Sequence, residues 1–388
     1  MRTLLILIED DLNEILAKGE MIPRYYNPGN SFDHIILVSL FGNYTDTEPF
    51  SILFGEATFT IKTLSIPLYQ KLLYSLKIVR EHWLKKLISL VGEIRPNAIR
   101  CYGAGFNAVV GNELKQAYDI PLLISLHLNT KVDTFSRAES FFEKSHSFIK
   151  EKVESLTLPT ADLVLPVYES IIPYLQTLNI TNYRVCYNFV HPESIKRKEP
   201  DFTPSPPIRI ISVGRQFKWK NPVHLIRAIG EIDNCELTLI GNGTEHTNLK
   251  QLVKKLNLES RIKFIPSIQN NKLCQILPTF DIFALHSEYF ELSKSVIEAA
   301  LTGLPIIINR RDGMQIPELN SEWCYLVDND YKSYAKAISN VINNNELRLQ
   351  LSTKASEHAW ANWSPIKCEK KFAEIYSSFF ESSLESSI

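Results

Sequence analysis

No run in this chain of 388 residues approaches the roughly 18 consecutive apolar residues of a membrane-spanning helix. The six cysteines, Cys101, Cys186, Cys235, Cys274, Cys324 and Cys368, are scattered without a C-x2-C pair, which argues against a zinc ribbon or a dithiol redox centre and leaves reduced thiols as the expectation. Charge of one sign is missing as well: 42 Lys and Arg against 43 Asp and Glu give a formal net charge of −1, so no global field recruits nucleic acid. Any anion site must therefore be local. The opening MRTLLILIEDD turns acidic at once and has no small-residue cleavage site, so it reads as a first strand rather than a signal peptide, and the expected location is cytoplasmic. Low-complexity sequence is confined to the Ser-rich tail, Ser377 to Ile388, and no internal repeat is visible.

The composition is that of a globular protein, 45% hydrophobic and 22% charged, and the length calls for two domains. Strand-like apolar runs alternate with helical periodicity in both halves. In the first half the strands are Thr3 to Ile8, Ile35 to Leu40, a β-rich stretch Phe50 to Leu64, Asn97 to Cys101, Pro121 to Leu126, Ala161 to Val167 and Tyr183 to Val190. A long amphipathic segment, 68–91, carries Leu72, Leu76, Val79, Trp83 and Leu87 at helical spacing. Such a stripe packs on its own sheet, or with Lys71, Lys77, Lys85 and Lys86 docks peripherally on an anionic membrane surface. The stretch 196–207, KRKEPDFTPSPP, has no hydrophobic period and reads as a linker. Beyond it strands at Ile208 to Val213, Glu236 to Ile240, Ile262 to Ile265 and Asp281 to Leu285 alternate with helices at Pro222 to Ile232, Thr247 to Leu256 and Lys272 to Leu277. The expected class is α/β, with Rossmann-like domains at 1–195 and 208–365, a ligand cleft between them, and a last helix at 366–388.

The chemistry concentrates in His286 to Asn309, HSEYFELSKSVIEAALTGLPIIIN, read as a loop, a helix from about Ser293 to Thr302, a stop at Gly303 and a buried strand from Leu304 to Ile308. Ser293, Lys294 and Ser295 stand where the first helical N–H groups lack partners, a setting that attracts phosphate. Glu298, about a turn further in, can accept hydrogen bonds from vicinal hydroxyls, as an acidic residue does for ribose in dinucleotide folds. Phosphate beside ribose is part of a nucleotide. The plainer alternative has Glu291 capping the helix and Glu298 solvated. Upstream, Gly214-Arg215 closes a strand and Lys220 follows, a planar fork and a mobile point charge suited to a diphosphate, or else two solvated strand-end residues. Gly241-Asn242-Gly243 is either a turn or a close backbone approach to a nucleotide. His127 follows the end of its strand, where this class of fold places polar chemistry.

Glu298, Ala299, Ala300, Gly303 and Pro305 match a signature in which two glutamates spaced E-x7-E precede an alanine-rich helix end, a Gly and a Pro. On them the chain resembles the retaining GT-B glycosyltransferases of the large family that includes sucrose synthase and glycogen synthase, also called glycosyltransferase family four or glycosyl transferases group 1. Strict spacing puts the first glutamate at Phe290, and a one-residue deletion makes it Glu291, with Glu288 the rival. Lys220-Asn221 stands where the family has Lys-Gly, and Asn188-Phe189-Val190 where it has an Asn-Gly-Val turn.

The resemblance implies two Rossmann-like domains and transfer, with retention, of a hexose-type sugar from a UDP- or GDP-linked donor to a hydroxyl of a glycan, glycolipid or protein, in cell-surface polysaccharide or glycolipid synthesis. It implies no cofactor and no catalytic metal. It assigns His127, Arg215, Lys220 and Glu291 to catalysis, and Gly19, Gly214, Gly241, Ile265, Lys294, Ser295, Val296 and Glu298 to the donor, with main chain from Phe264 to Ile268 at the base edge. Gly313 and Glu318 would border the acceptor, and Trp360 to Ser364 would precede a helix that returns to the first domain. An enzyme of similar shape, a nucleotide-sugar 2-epimerase, and a catalytically silent nucleotide-sugar-binding partner are the alternatives.

Overall fold

A computed structural model describes residues 1–40, 44–64, 66, 82–134, 141–199 and 204–385. It divides into two units: Met1–Ala17, Met21–Phe189 and Cys368–Ile388 form one, and Lys18–Glu20 with Val190–Lys367 form the other.

The first unit is built on a parallel sheet of β1 (Thr3–Ile8), β2 (His34–Ser39), β3 (Thr58–Thr63), β4 (Ala98–Tyr102), β5 (Leu122–Leu126) and β6 (Leu163–Pro166), in the order β3-β2-β1-β4-β5-β6. Its central strands are buried on both faces, which is why they read as unbroken apolar runs. Two expected strands are shorter than their apolar runs. The stretch from Phe50 opens as a 3-10 helix, Glu48–Phe54, and Thr58–Thr63 is the part that pairs with β2. The stretch from Tyr183 makes one parallel bridge to Val164, its Arg184 and Cys186 N–H groups donate to the Val164 and Pro166 carbonyls at 3.0 and 2.9 Å, and it then runs on without regular structure, with Phe189 and Val190 buried as a strand's side chains would be. Of the amphipathic segment, 82–94 is helix; 67–81 lie outside the described residues.

The C-terminal helix Pro365–Glu385 packs into this first unit from Cys368 onward. Glu369 accepts two bonds from the Arg24 guanidinium, 2.5 and 2.9 Å, and one from the Gly29 N–H at 3.0 Å, which together hold its carboxyl below the usual range. Deeper in, the buried Arg100 donates to the Tyr376 hydroxyl at 2.5 Å and lies over the rings of Tyr102 and Phe372.

The second unit repeats the topology. Strands β7 (Ile208–Val213), β8 (Cys235–Ile240), β9 (Ile262–Ile265), β10 (Ile282–Leu285), β11 (Ile306–Asn309) and β12 (Tyr325–Val327) form a parallel sheet in the order β12-β11-β10-β7-β8-β9. Both sheets reverse their winding next to the first strand, between β1 and β4 and between β7 and β10, and a doubly wound sheet opens its ligand crevice at the carboxyl ends of such a pair. Helix Lys294–Thr302 crosses from β10 to β11 with every residue from Ser295 to Thr302 buried. Against it lies helix Asn345–Asn362, whose Ser352 donates to the Gly303 carbonyl at 2.6 Å. All six cysteines are buried and unpaired, and among the described residues no helix is long and apolar enough to cross a membrane.

Gly303 ends the crossover helix at φ 92°, ψ 27°, and its N–H returns to the carbonyls of Ala299 and Ala300. A Cβ there would meet nothing closer than 3.5 Å, so the cost of Gly303→Ala is backbone strain alone. Urea denaturation should show the variant less stable by about 1–2 kcal/mol with an unchanged slope.

Candidate functional site

The carboxyl ends of β7, β8, β9 and β10 converge on an open cavity of about 1020 Å³ in the second unit. Each strand delivers a loop to it: Gly214 and Arg215 after β7, Gly241 to Thr244 after β8, Pro266 to Ile268 after β9, and Ser293 to Ser295 with Glu298 after β10. Two glycines let the first two loops meet. A Cβ on Gly241, at φ 136°, would stand 1.9 Å from the Gly214 carbonyl oxygen, and one on Gly243 would stand 2.4 Å from that of Gln216. The G-x-G pair is thus required by the approach of one backbone to another within the protein.

Arg215 is exposed at the cavity wall and has no carboxylate partner among the described residues. Lys220 faces the same space but its ammonium is bonded to the Glu291 carboxylate, with both side chains more than four-fifths buried. The loop carrying Glu291 is pinned at three points. Asn309 exchanges two hydrogen bonds with the Ser287 backbone at 3.0 Å, Arg311 donates to the Tyr289 carbonyl at 2.8 Å, and the Glu288 N–H bonds the Trp219 carbonyl at 2.8 Å. Glu288 itself turns towards His286, 3.7 Å away.

Lys294, at the first position of the crossover helix, lies 3.0 Å from Glu20 and 4.0 Å from Glu298. Glu298 is buried, and burial raises its carboxyl pKa, an effect that Lys294 and a 2.7 Å hydrogen bond from Asn270 Nδ2 oppose. Glu298 is therefore neither solvated nor idle. The helix end is open to the cavity: Ser293, Lys294 and Ser295 line it, and the first N–H to turn back is that of Val296, to Ser293 O at 3.0 Å. Ser295 Oγ donates to the Val213 carbonyl at 2.9 Å, which ties the helix to the end of β7.

Of the expected donor residues, Gly214, Gly241, Lys294, Ser295 and Glu298 line the cavity together with Arg215 and Lys220. Ile265 and Val296 do not. The Ile265 carbonyl is taken by the Gly241 N–H at 2.9 Å, so the wall there is Pro266 to Ile268, and the Val296 side chain is fully buried in the core. Gly19, at φ 66°, lies between two lining residues, Lys18 and Glu20; the Lys18 carbonyl accepts from the Asn270 N–H at 2.9 Å. His127 belongs to the first unit. It follows the last residue of β5, its ring stacks near Tyr102, and burial, with help from Arg100 and Lys150, pushes its pKa down to about 4, so it is neutral at pH 7. Glu318 is buried with its carbonyl on Trp323 Nε1, and Trp363 packs edge-on against Trp323. Asn270, Glu20, Lys18 and Phe217 are lining residues that sequence reasoning missed. Lys18 and Glu20 had a signal, their places on either side of Gly19.

Residues 194–358 match the family model described as glycosyl transferases group 1. The match takes in every lining residue of the cavity except Lys18 and Glu20. Among curated proteins, the chain is similar to the lipopolysaccharide core biosynthesis glycosyltransferases LpsE and LpsD of Rhizobium meliloti (strain 1021). LpsE is 28% identical over 40% of this chain and 45% of its own length, LpsD 30% over 46% and 51%. The chain thus spans about half the length of the curated relatives it matches. Among solved structures, the sucrose-phosphate synthase of Thermosynechococcus elongatus aligns over 98% of this chain and 100% of its own at a TM-score of 0.76 and 16% identity. Anabaena HepE in complex with UDP-glucose aligns over 97% and 100% at 0.69 and 16%. At such identities the likeness concerns the fold, which is GT-B.

The Lys220–Glu291 pair makes a stability measurement informative without substrate. Lys220→Met and Glu291→Gln should each destabilise, because each leaves a largely buried charge unpaired, and the double variant should lose less than their sum. A coupling of roughly 0.5–3 kcal/mol in urea titrations is expected; strict additivity would show that the two side chains do not interact.

Proposed function

We propose that this protein is a glycosyltransferase that takes a hexose-type sugar from a UDP- or GDP-linked donor and moves it, with retention, to a hydroxyl of a glycan or glycolipid in cell-surface polysaccharide or glycolipid synthesis. The observation that carries the reading is the convergence, on one cavity at the switch point, of Arg215, Lys220 and an open helix end with a buried carboxylate, Glu298, one helical turn away. The first three answer the negative charge of a diphosphate and the last answers the hydroxyls of a ribose. The family match over the same residues and the names of the relatives support it. HepE is titled as a complex with UDP-glucose, LpsE and LpsD are named for lipopolysaccharide core biosynthesis, and a Campylobacter jejuni relative is named for transfer to a diphospho-undecaprenol acceptor.

Chemically, the bond from the anomeric carbon to the diphosphate oxygen breaks, and negative charge accumulates on the leaving oxygen. Arg215, Lys220 and the N–H groups ahead of Val296 stabilise it where it forms. Lys220 becomes available to phosphate as Glu291 exchanges the ammonium for hydroxyls of the sugar. The acceptor hydroxyl attacks the face that the diphosphate leaves, and a leaving phosphate oxygen takes its proton. His127, in the first unit, is neutral at pH 7 and can offer a hydrogen bond but no charge. Two fixed cations and a helix end supply the charge that other transferases draw from a bound metal, so turnover should persist in EDTA.

A panel of nucleotide sugars scored first by thermal shift and then by turnover tests the reading. A UDP- or GDP-linked sugar should raise the melting temperature in proportion to the logarithm of its concentration. With that donor, Arg215→Ala and Lys220→Ala should each lower kcat by orders of magnitude, as the loss of a comparable transition-state donor costs about 2.7–4 kcal/mol. Stabilisation by no nucleotide, or near-normal turnover in both variants, would remove the assignment.

A further inference from the structure

Asn270 opens the helix Asn270–Ile276 and is, among the described residues, the one lining side chain with a buried polar atom that lacks a hydrogen-bond partner. It is 8% exposed. Its Nδ2 donates to Glu298 Oε1 at 2.7 Å, and that contact decides how the amide is turned, since the reverse orientation would set a carbonyl oxygen against a carboxylate. Oδ1 is therefore held on the other side, buried, without a donor. A buried acceptor left unmatched is costly and calls for an explanation.

The missing group must bring hydrogen, because the neighbouring Glu298, 1% exposed, is also an acceptor. An anion has nothing to offer there. A cation is already in place: the Lys294 ammonium stands 4.0 Å from Glu298 and 3.0 Å from Glu20. What remains is a neutral donor: a single water, or, from a ligand, two hydroxyls on adjacent atoms. A vicinal diol has that form.

We propose that Asn270 Oδ1 and the Glu298 carboxylate read the two ribose hydroxyls of the nucleotide, one each, so that Asn270 is a binding residue that selects ribonucleotides. The assignment rests on the nucleotide-sugar reading of the cavity. The Asn270 backbone N–H meanwhile holds the Lys18 carbonyl, and substitution of the side chain leaves that bond in place.

Calorimetry with UDP or GDP, whichever the wild type binds, and with the 2′-deoxy and 3′-deoxy forms of that nucleotide tests it. In the wild type each missing hydroxyl should weaken binding by about tenfold. In Asn270→Ala one of the two penalties should vanish, the corresponding deoxy nucleotide binding as well as its parent, while the other persists on Glu298. Each penalty is a ratio within one variant, so a general loss of stability does not imitate the result, and Asn270→Ser serves if the alanine variant does not fold. Both penalties unchanged in a variant that still binds the parent nucleotide would remove Asn270 from the site. A wild type indifferent to both hydroxyls would overturn the diol assignment while leaving the nucleotide reading intact; a wild type that binds neither UDP nor GDP would overturn both.

Discussion

A carboxylate with almost no access to solvent sits on the crossover helix of the second unit, and the cavity depends on how it is kept there. Burial works against the charge of Glu298, and two neighbours work for it: the Lys294 ammonium and the Asn270 amide. Each partner has a second attachment. Lys294 reaches Glu20, and the Asn270 backbone holds the Lys18 carbonyl, so the short strap Lys18–Glu20 is secured at both its ends by groups that also serve Glu298. Remove the carboxylate and Lys294 keeps one partner of two, while Asn270 loses the contact that orients its amide. The wall formed by these residues is a connected electrostatic unit, in which Glu298 shares Lys294 with Glu20 and orients the Asn270 amide.

The fold was legible where burial is two-sided. Continuous apolar runs gave β1, β5 and β10 to within a residue or two, because a parallel strand covered on both faces carries the signal in every position. The same signal overreached at Tyr183 to Val190, where side chains are buried but the backbone bonds to β6 only as far as Cys186; hydrophobicity reports burial, not pairing. Helix Asn345–Asn362 had no signal at all. Its buried face is Arg348, Leu351, Ser352, Ala355 and Ala359; all but Leu351 are small or polar, which allows close approach to the Gly303 end of the crossover helix and leaves little apolar period to read.

The candidate site was legible residue by residue and not as a set of bonds. Arg215, Lys220, Lys294 and Glu298 each follow a strand end or open a helix, and local sequence shows that. The partner of Lys220, Glu291, stands 71 positions away, and Glu20 is 274 positions from Lys294; nothing local announces either. Asn270 escaped notice for a related reason, since its chemistry is defined by Glu298, which comes from another crossover. The wall after β9 came out at Pro266 to Ile268 rather than at Ile265, because the ladder had already claimed the Ile265 carbonyl for Gly241.

These pairings bear on how the proposed reaction would be driven. Lys220 is matched by Glu291 and Lys294 by Glu20 and Glu298, while Arg215 is a lining cation without a carboxylate among the described residues. The cavity is thus far from a bare concentration of positive charge. A diphosphate arriving in the ground state must compete with Glu291 for Lys220, and the exchange becomes more favourable as charge builds on the leaving oxygen. Interactions that strengthen along the reaction raise the rate, whereas a site equally tight for donor and product would only retain both. A carboxylate that tempers its own neighbouring cation is therefore consistent with turnover, and Glu291 need not touch the reacting bond to influence how fast it breaks.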